Sequence, residues 1–245
     1  MIPPTSIDGT DITGATIDGT DVQEITVDGQ TVFSAASPGA DAPRLAQYPF
    51  DEGSGTTAAD ETGNQADFSF NGAFFVSDAD AVGGFSVDMS GGAFCELTYV
   101  PNFMNDTFTV MMTIELDDLV GHQIFISFGG NNYGSLGLPG GSSIITAEGN
   151  DKQLEANSSI TNSITRIGVE FDSNQKPEKI FIDGVDDTAG ESNSVLYFGE
   201  NDDVTLGKTN HGFGPMDGRI DNLIFYDGSL TSAQVQQDFN RQPYS

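Results

Sequence analysis

Along most of the chain, apolar residues recur at every second position in short runs that Gly or Asn interrupts. A period of two is the pattern of a strand with one buried face. Phe108–Leu116 is the clearest run, with Phe108, Val110, Met112, Ile114 and Leu116 on one apolar face. Gln123–Phe128 and Ser142–Ala147 read as its neighbours, and Arg166–Phe171 alternates again with Ile167, Val169 and Phe171 inward. Turn residues return roughly every 8–12 positions, and only one stretch reads as a helix. The pattern predicts an all-β fold, a two-sheet antiparallel sandwich.

The helix follows the last strand. In Gly218–Phe239, Leu223 and Phe225 alternate with Asn222 and Ile224, and Asp227-Gly228 supplies a turn. Thr231 then stands as an N-cap with Gln234 three residues on, the two halves of a capping box, and Leu230 is placed to staple onto Val235. Val235 and Phe239 give the helix an apolar stripe that can seal one sheet. Strand parity puts Asp221 on the face of Leu223 and Phe225, the expected core face. A carboxylate there needs a hydrogen-bonding partner or a metal.

At the other end, residues 1–36 repeat every ten residues: Ser6–Ile12, Thr16–Val22 and Thr26–Val32 each hold Asp-Gly between β-branched residues. Asp-Gly in that setting is a hairpin signal. Three such units carry too few large side chains for a core of their own, so the repeats are expected to pair with sister chains or a larger host. Ser37–Pro43, small and twice interrupted by proline, reads as a linker.

Charge narrows the setting. Asp+Glu number 37 against 8 Lys+Arg, a formal charge of −29 spread from Asp8 to Asp238. Such a surface repels phosphate backbones and anionic lipid, so no nucleic acid and no membrane insertion are expected. A carboxylate carpet with almost no lysine fits a halophilic protein; an ordinary acidic surface protein and a strong calcium binder are the alternatives. The single cysteine, Cys95 in AFCELTY, rules out an internal disulfide and reads as a small buried hydrophobe. No run reaches membrane-spanning length, and MIPPTSIDGT has neither a basic nor an apolar signal region.

Three stretches carry a family resemblance. GRIDNLIFYDGSLTSAQV resembles the closing strand of concanavalin A-like, laminin-G-like jelly rolls, YPFDEGSGTTAADETGNQADFSFNGA their opening strand and loop, and IFIDGV the strand before their last hairpin. The resemblance covers roughly Arg44–Gln242 and implies a jelly-roll sandwich over 44–245, preceded by a 37–43 linker and the 1–36 β-hairpin repeat arm. It also implies a structural calcium ion held by Asp51, Asp60, Asn64 and Asp221, which the family's motifs bring to one end of the sandwich. The alternative is that Asp221 accepts backbone N–H bonds from the Gly53–Gly55 turn. The IDGT/VDGQ repeats resemble the starts of structural proteins of viruses that infect haloarchaea.

A glycosidase on this fold would need two carboxylates on one sheet face. The nearest match, Glu115-Leu-Asp117-Asp-Leu119, has Leu119 where the second Glu of the family's pattern should stand. Without tryptophan to stack a sugar, no catalytic residue is expected. His122 and His211 lack metal-ligand spacing. Two loops, Gly129–Gly134 with Asn131, Asn132 and Tyr133, and Lys208–Gly214 with Asn210, His211 and Phe213, mix amides with an aromatic. That mixture suits polyhydroxyl ligands and ordinary long turns alike. Asn105-Asp-Thr107 and Asn157-Ser-Ser159 are glycosylation sequons in form only.

The leading expectation is a virion surface protein of a haloarchaeal virus: a tail fibre, spike or capsid decoration. Its partners would be sister chains in a homo-oligomer, with a trimer as the guess, other virion proteins, and a host surface glycan or glycoprotein. A carbohydrate- or protein-binding module on a halophile's cell surface is the second class, and a glycoside hydrolase the third.

Overall fold

A computed structural model describes residues 42–97, 106–129, 134–140, 142–149, 152–191, 204–208 and 214–242, together with the backbone of short strands between 6 and 34. The chain divides into two units, Met1–Asp41 and Ala42–Ser245. In the first, each repeat makes one antiparallel pair: β1 (Ser6–Ile7) with β2 (Thr10–Asp11), β3 (Thr16–Ile17) with β4 (Thr20–Asp21), and β5 (Glu24–Val27) with β6 (Gln30–Ser34).

The second unit contains β7 (Arg44–Tyr48), β8 (Thr57–Ala58), β9 (Phe68–Asn71), β10 (Phe74–Ser77), β11 (Phe85–Asp88), β12 (Phe94–Leu97), β13 (Phe108–Leu116), β14 (Gln123–Phe128), β15 (Gly134–Leu138), β16 (Ile144–Gly149), β17 (Lys152–Ser159), β18 (Thr165–Phe171), β19 (Pro177–Ile182), β20 (Val185–Asp186), β21 (Thr188–Glu191), β22 (Val204–Leu206), β23 (Gly218–Asp227) and α1 (Ser232–Asn240). They form two antiparallel sheets. One runs β10-β11-β23-β13-β18-β19-β20, with β7 also paired to β23. The other runs β21-β17-β16-β15-β14-β22-β12-β9-β8. This is the expected sandwich.

The expected alternation fills the space between the sheets. Phe108, Val110, Met112, Ile114 and Leu116 enter the core with Ile167, Val169 and Phe171, and Cys95 is a buried core thiol. Phe108 stacks on Phe171 at 5.2 Å, and Phe128 meets both rings edge-on. One neighbourhood differs from the sequence reading. The partners of β13 are β18 and β23, whereas Gln123–Phe128 and the strand near Ser142–Ala147 belong to the opposite sheet. A sandwich chain crosses between its sheets, so strands close in sequence need not pair.

The outer face of the β13/β23 sheet is closed by a second apolar cluster, in which Val235 of α1 packs with Leu230, Met111, Phe181, Ile224 and Tyr226. Thr231 caps α1 by accepting the Gln234 N–H, and the Gln234 side chain accepts the Thr231 N–H, completing the capping box. Helix and sheet are also bolted by charge. Arg166, on β18, makes two bonds to Asp238 of α1 at 2.7 and 2.9 Å, with both side chains buried. Tyr226 donates to the same carboxylate at 2.6 Å.

Candidate functional site

Asp221 does not lie on the core face. The β13–β23 register shifts between Met111 and Thr113, so an extra residue is taken up in β23 opposite Met112. Asn222, at φ 43°, is in the left-handed conformation that Asn tolerates better than most residues. Beyond this bulge parity is inverted. Leu223 and Phe225 face the core as expected, while Asp221 pairs with Thr113 on the outer side. Arg166 fixes the bulge by donating to the Asn222 carbonyl at 2.6 Å.

On that outer side Asp221 borders a small pocket with Asp78, Asp80, Ser86, Glu115 and Arg219. Its Oδ2 accepts the Val82 N–H at 2.8 Å, so the donor is the 81–84 turn and not Gly53–Gly55. Its Oδ1 is buried without a partner. Burial raises the carboxyl to about 7, and the nearby Asp78 adds to the rise. The N–H groups of Val82 and Asn222 and the charge of Arg166 oppose it without prevailing. Arg219 bridges Asp78 at 3.4 Å and Glu115 at 3.3 Å.

The other expected calcium ligands are engaged elsewhere. Asp60 accepts the N–H groups of Gln47, Thr62, Asn64 and Gln65 and the Thr62 hydroxyl. Burial pushes its carboxyl up, but these bonds outweigh burial and hold it below the ordinary value. Its oxygens face donors, which makes it the organiser of the 60–65 loop. Asn64 is exposed, and its N–H is one of those donors. Asp51 is exposed beside Gly83, where a Cβ would come within 2.4 Å of the Asp51 Cβ. Among the described residues no group of three or more His, Cys, Asp or Glu side chains is placed to hold a metal ion. The four residues therefore do not fit a single calcium centre.

Glu115 is tied to Arg219, and Asp117 lies past the end of β13, exposed, 3.5 Å from the Ser90 hydroxyl. The loop residues Asn131, Asn132, Tyr133, Asn210, His211 and Phe213 lie outside the described residues.

A second outer face went unnoticed in the sequence. Across six neighbouring strands of the nine-stranded sheet, register aligns Glu96, Thr205, Ser127, Ser135, Glu148 and Gln153 in one row. The flanking residues Cys95, Leu97, Val204, Leu206, Ile126, Leu136, Ala147 and Leu154 point into the core, so the row points outward. With strands about 4.8 Å apart, six residues span roughly 24 Å. Gln153 donates to Glu148 at 2.7 Å, and Ser127 donates to the Lys208 carbonyl at 3.2 Å. Lys208 places its ammonium 3.3 Å from the centre of the Phe94 ring. Three hydroxyls, those of Ser135, Thr205 and, one pair along the sheet, Thr146, are buried and have no hydrogen-bond partner. Beside Thr146, Gly137 lets β14 approach closely at its register shift: a Cβ there would lie 2.3 Å from the Gln123 carbonyl oxygen. Each strand carries the expected polar residue in its alternation, but only the register shows that they form a line.

The two faces therefore differ in kind: one is sealed by a helix, the other carries a polar row in which Thr205, Ser127, Ser135 and Glu148 are buried and some hydrogen-bonding capacity is unspent. Residues 90–236 match the concanavalin A-like lectin/glucanases superfamily in its laminin G form, and the chain belongs to that family. Domain 4 of AbnA, a GH43 extracellular arabinanase from Geobacillus stearothermophilus, solved with arabinotriose, superposes with a TM-score of 0.59 at 21% identity, over 80% of this chain and 98% of that one. The binding domain of botulinum neurotoxin DC in complex with SialylT gives 0.57 at 16% identity, covering 82% of this chain and 51% of that one. Trypanosoma rangeli sialidase gives 0.51 at 16%, covering 80% and 32%. The chain thus spans about half of the toxin domain and a third of the sialidase. At these identities the likeness is one of fold. No curated protein matches the chain in sequence.

Proposed function

We propose that this chain is a non-catalytic, lectin-like module that binds saccharide across the polar face of its nine-stranded sheet. The observation that carries the reading is the set of buried hydroxyls without partners, Ser135, Thr146 and Thr205. A buried hydroxyl left unpaired costs about 1–3 kcal/mol, so a native structure that keeps three on one face has a reason to. A polyhydroxyl ligand supplies donors and acceptors at close spacing and would satisfy all three. The family and the arabinotriose complex of the arabinanase domain are consistent with such a ligand.

The test is binding of the full chain to a glycan array, repeated with Thr205→Val and Thr146→Val. Valine keeps the shape and removes the hydroxyl, so both variants should fold, melt no lower than wild type, and bind about tenfold more weakly, one lost hydrogen bond being worth about that. Wild-type affinity in both variants would place the site elsewhere.

The setting we propose is the surface of a haloarchaeal virus particle. The hairpin repeats of residues 1–36 would fasten the module to sister chains or to other virion proteins, leaving the jelly roll to meet a host surface glycan. The charge of −29 and the IDGT/VDGQ repeats support this reading. Antibody labelling of purified particles tests it. Label on uninfected cell envelopes, with none on particles, would favour a cellular surface module.

A further inference from the structure

Resting on the reading of residues 1–36 as a fastening arm, we infer that strand β6 of one chain pairs with the open edge strand β10 of a second copy and extends its eight-stranded sheet. The sheet edges carry the inference. An edge strand is a template for pairing with another chain, and folds blunt it by shortness, by charge or by covering it. Among the described residues, β10 and β20 end the eight-stranded sheet, and β21 and β8 end the nine-stranded one. β8 and β20 are two residues long, and β20 ends in Asp186 beside Asp187. β21 includes Gly190 and closes on Glu191. β7, paired with β23, is covered on its other side by the 60–65 loop, where Asp60 accepts the Gln47 N–H and the Glu61 N–H donates to the Gln47 carbonyl.

β10 lacks these protections. It is four residues long, and no charged residue lies between Asp67 and Asp78. Phe75 packs toward the core with Phe70, so Phe74 and Val76 point to the outer face. There Phe74 is 53% exposed. An edge of this kind offers a partner strand both apolar side chains and the outward N–H and C=O groups of its backbone.

The arm contains a strand suited to it. β6, Gln30–Ser34, is five residues long and pairs with β5 on one side only. No charge interrupts Gly29–Ala40, whereas the earlier repeats hold Asp8 and Asp11, then Asp18 and Asp21. QTVFS and FFVS both combine aromatic and β-branched residues, the types that stabilise cross-strand pairs. A two-stranded hairpin is marginal alone and gains most from joining a larger sheet. For chains that each carry −29, two uncharged strands are also the approach that sets fewest carboxylates against one another. Because β6 and β10 are different surfaces, the contact is heterologous: each sandwich accepts one arm while its own arm goes to a neighbour. Such a contact closes into a ring or continues as a filament.

The experiment uses the full chain in about 2 M NaCl, where charge repulsion is screened within about 3 Å. Light scattering should show oligomers. Phe74→Glu alters an exposed side chain, so it should keep the wild-type circular dichroism while raising the concentration of half-association at least about tenfold. Val185→Glu, at a position 54% exposed on the β20 edge, should leave association unchanged. With Cys95 buried, a chain carrying Phe33→Cys mixed with one carrying Phe74→Cys should cross-link on mild oxidation, and neither should cross-link alone. Cross-linking of Phe74→Cys to itself would mean that two β10 edges pair, and of Phe33→Cys to itself that arms pair with arms. Either overturns the inference. Association untouched by Phe74→Glu also overturns it, and leaves the arm a fastener with some other acceptor. A full chain that stays monomeric overturns the fastening reading and this inference together.

Discussion

Asp221 shows how much a single backbone irregularity decides. The Asn222 bulge moves the carboxylate to the outer side of its sheet, beneath the 81–84 turn, with one oxygen on the Val82 N–H and the other unpaired. Its carboxyl, raised to about 7, lies above the ordinary 3.8 of the unfolded chain. Between those values the native state keeps a proton that the unfolded chain has lost. This residue's penalty to folding is therefore absent below pH 3.8, is still small at about pH 4, grows as pH rises, and is complete above about pH 7. Asp221→Asn keeps an acceptor for Val82 and abolishes the ionisation. It should stabilise the protein at pH 8 by on the order of 2–4 kcal/mol and have little effect at pH 4. Comparing the variant with wild type cancels the contribution of Asp78, Glu115 and the rest of the acidic surface. Equal wild-type and variant stability at pH 8, measured by denaturant unfolding, would contradict the burial argument. Because the four expected ligands do not converge, melting in chelator and in calcium at fixed ionic strength should coincide.

For elements, the decisive joint is between α1 and the sheet it covers. The capping box sets where the helix starts, and Val235 supplies its apolar contact. The stronger constraint is Asp238, a polar position that the apolar stripe of Val235 and Phe239 does not reveal. Burial would raise its carboxyl, but the charge and hydrogen bonds of Arg166 and the hydroxyl of Tyr226 hold it below the ordinary carboxylate value. Removing one partner of a buried pair leaves the other charge stranded, which costs about 3–5 kcal/mol. Losing a cap costs about 1 kcal/mol. Asp238→Ala should accordingly lower stability several times more than Thr231→Ala, as read by chemical denaturation. Similar losses in the two variants would mean that capping, not the ion pair, seats the helix.

At the scale of the whole molecule, the charge acts on every part of the fold. Self-repulsion among 37 acids is strongest where screening is weakest, so melting temperature should rise markedly from about 0.1 M to 2 M NaCl. A flat profile would remove the halophilic reading. The sandwich owns a continuous core that draws on both sheets, while residues 1–41 form a separate unit. A fragment starting at Ala42 should therefore fold as a monomer with the melting temperature of the full chain. The full chain should self-associate, as light scattering in high salt would show. A monomeric full chain would sink the attachment role of the arm.

Sequence by itself determined the strands, the sandwich, the capped helix and the hairpin repeats, because each is written in local periodicity and turn chemistry. It also pointed to the stretches that make the family legible. It could not place Asp221, since a bulge inverts parity and leaves no mark in the apolar pattern on either side. It could not show the polar row either. Glu96, Thr205, Ser127, Ser135, Glu148 and Gln153 come from six strands whose order in the sheet is not their order in the chain. Strand alternation tells each residue which way to point. Only pairing across the sheet, decided by how the two apolar faces pack, makes the six point along one line.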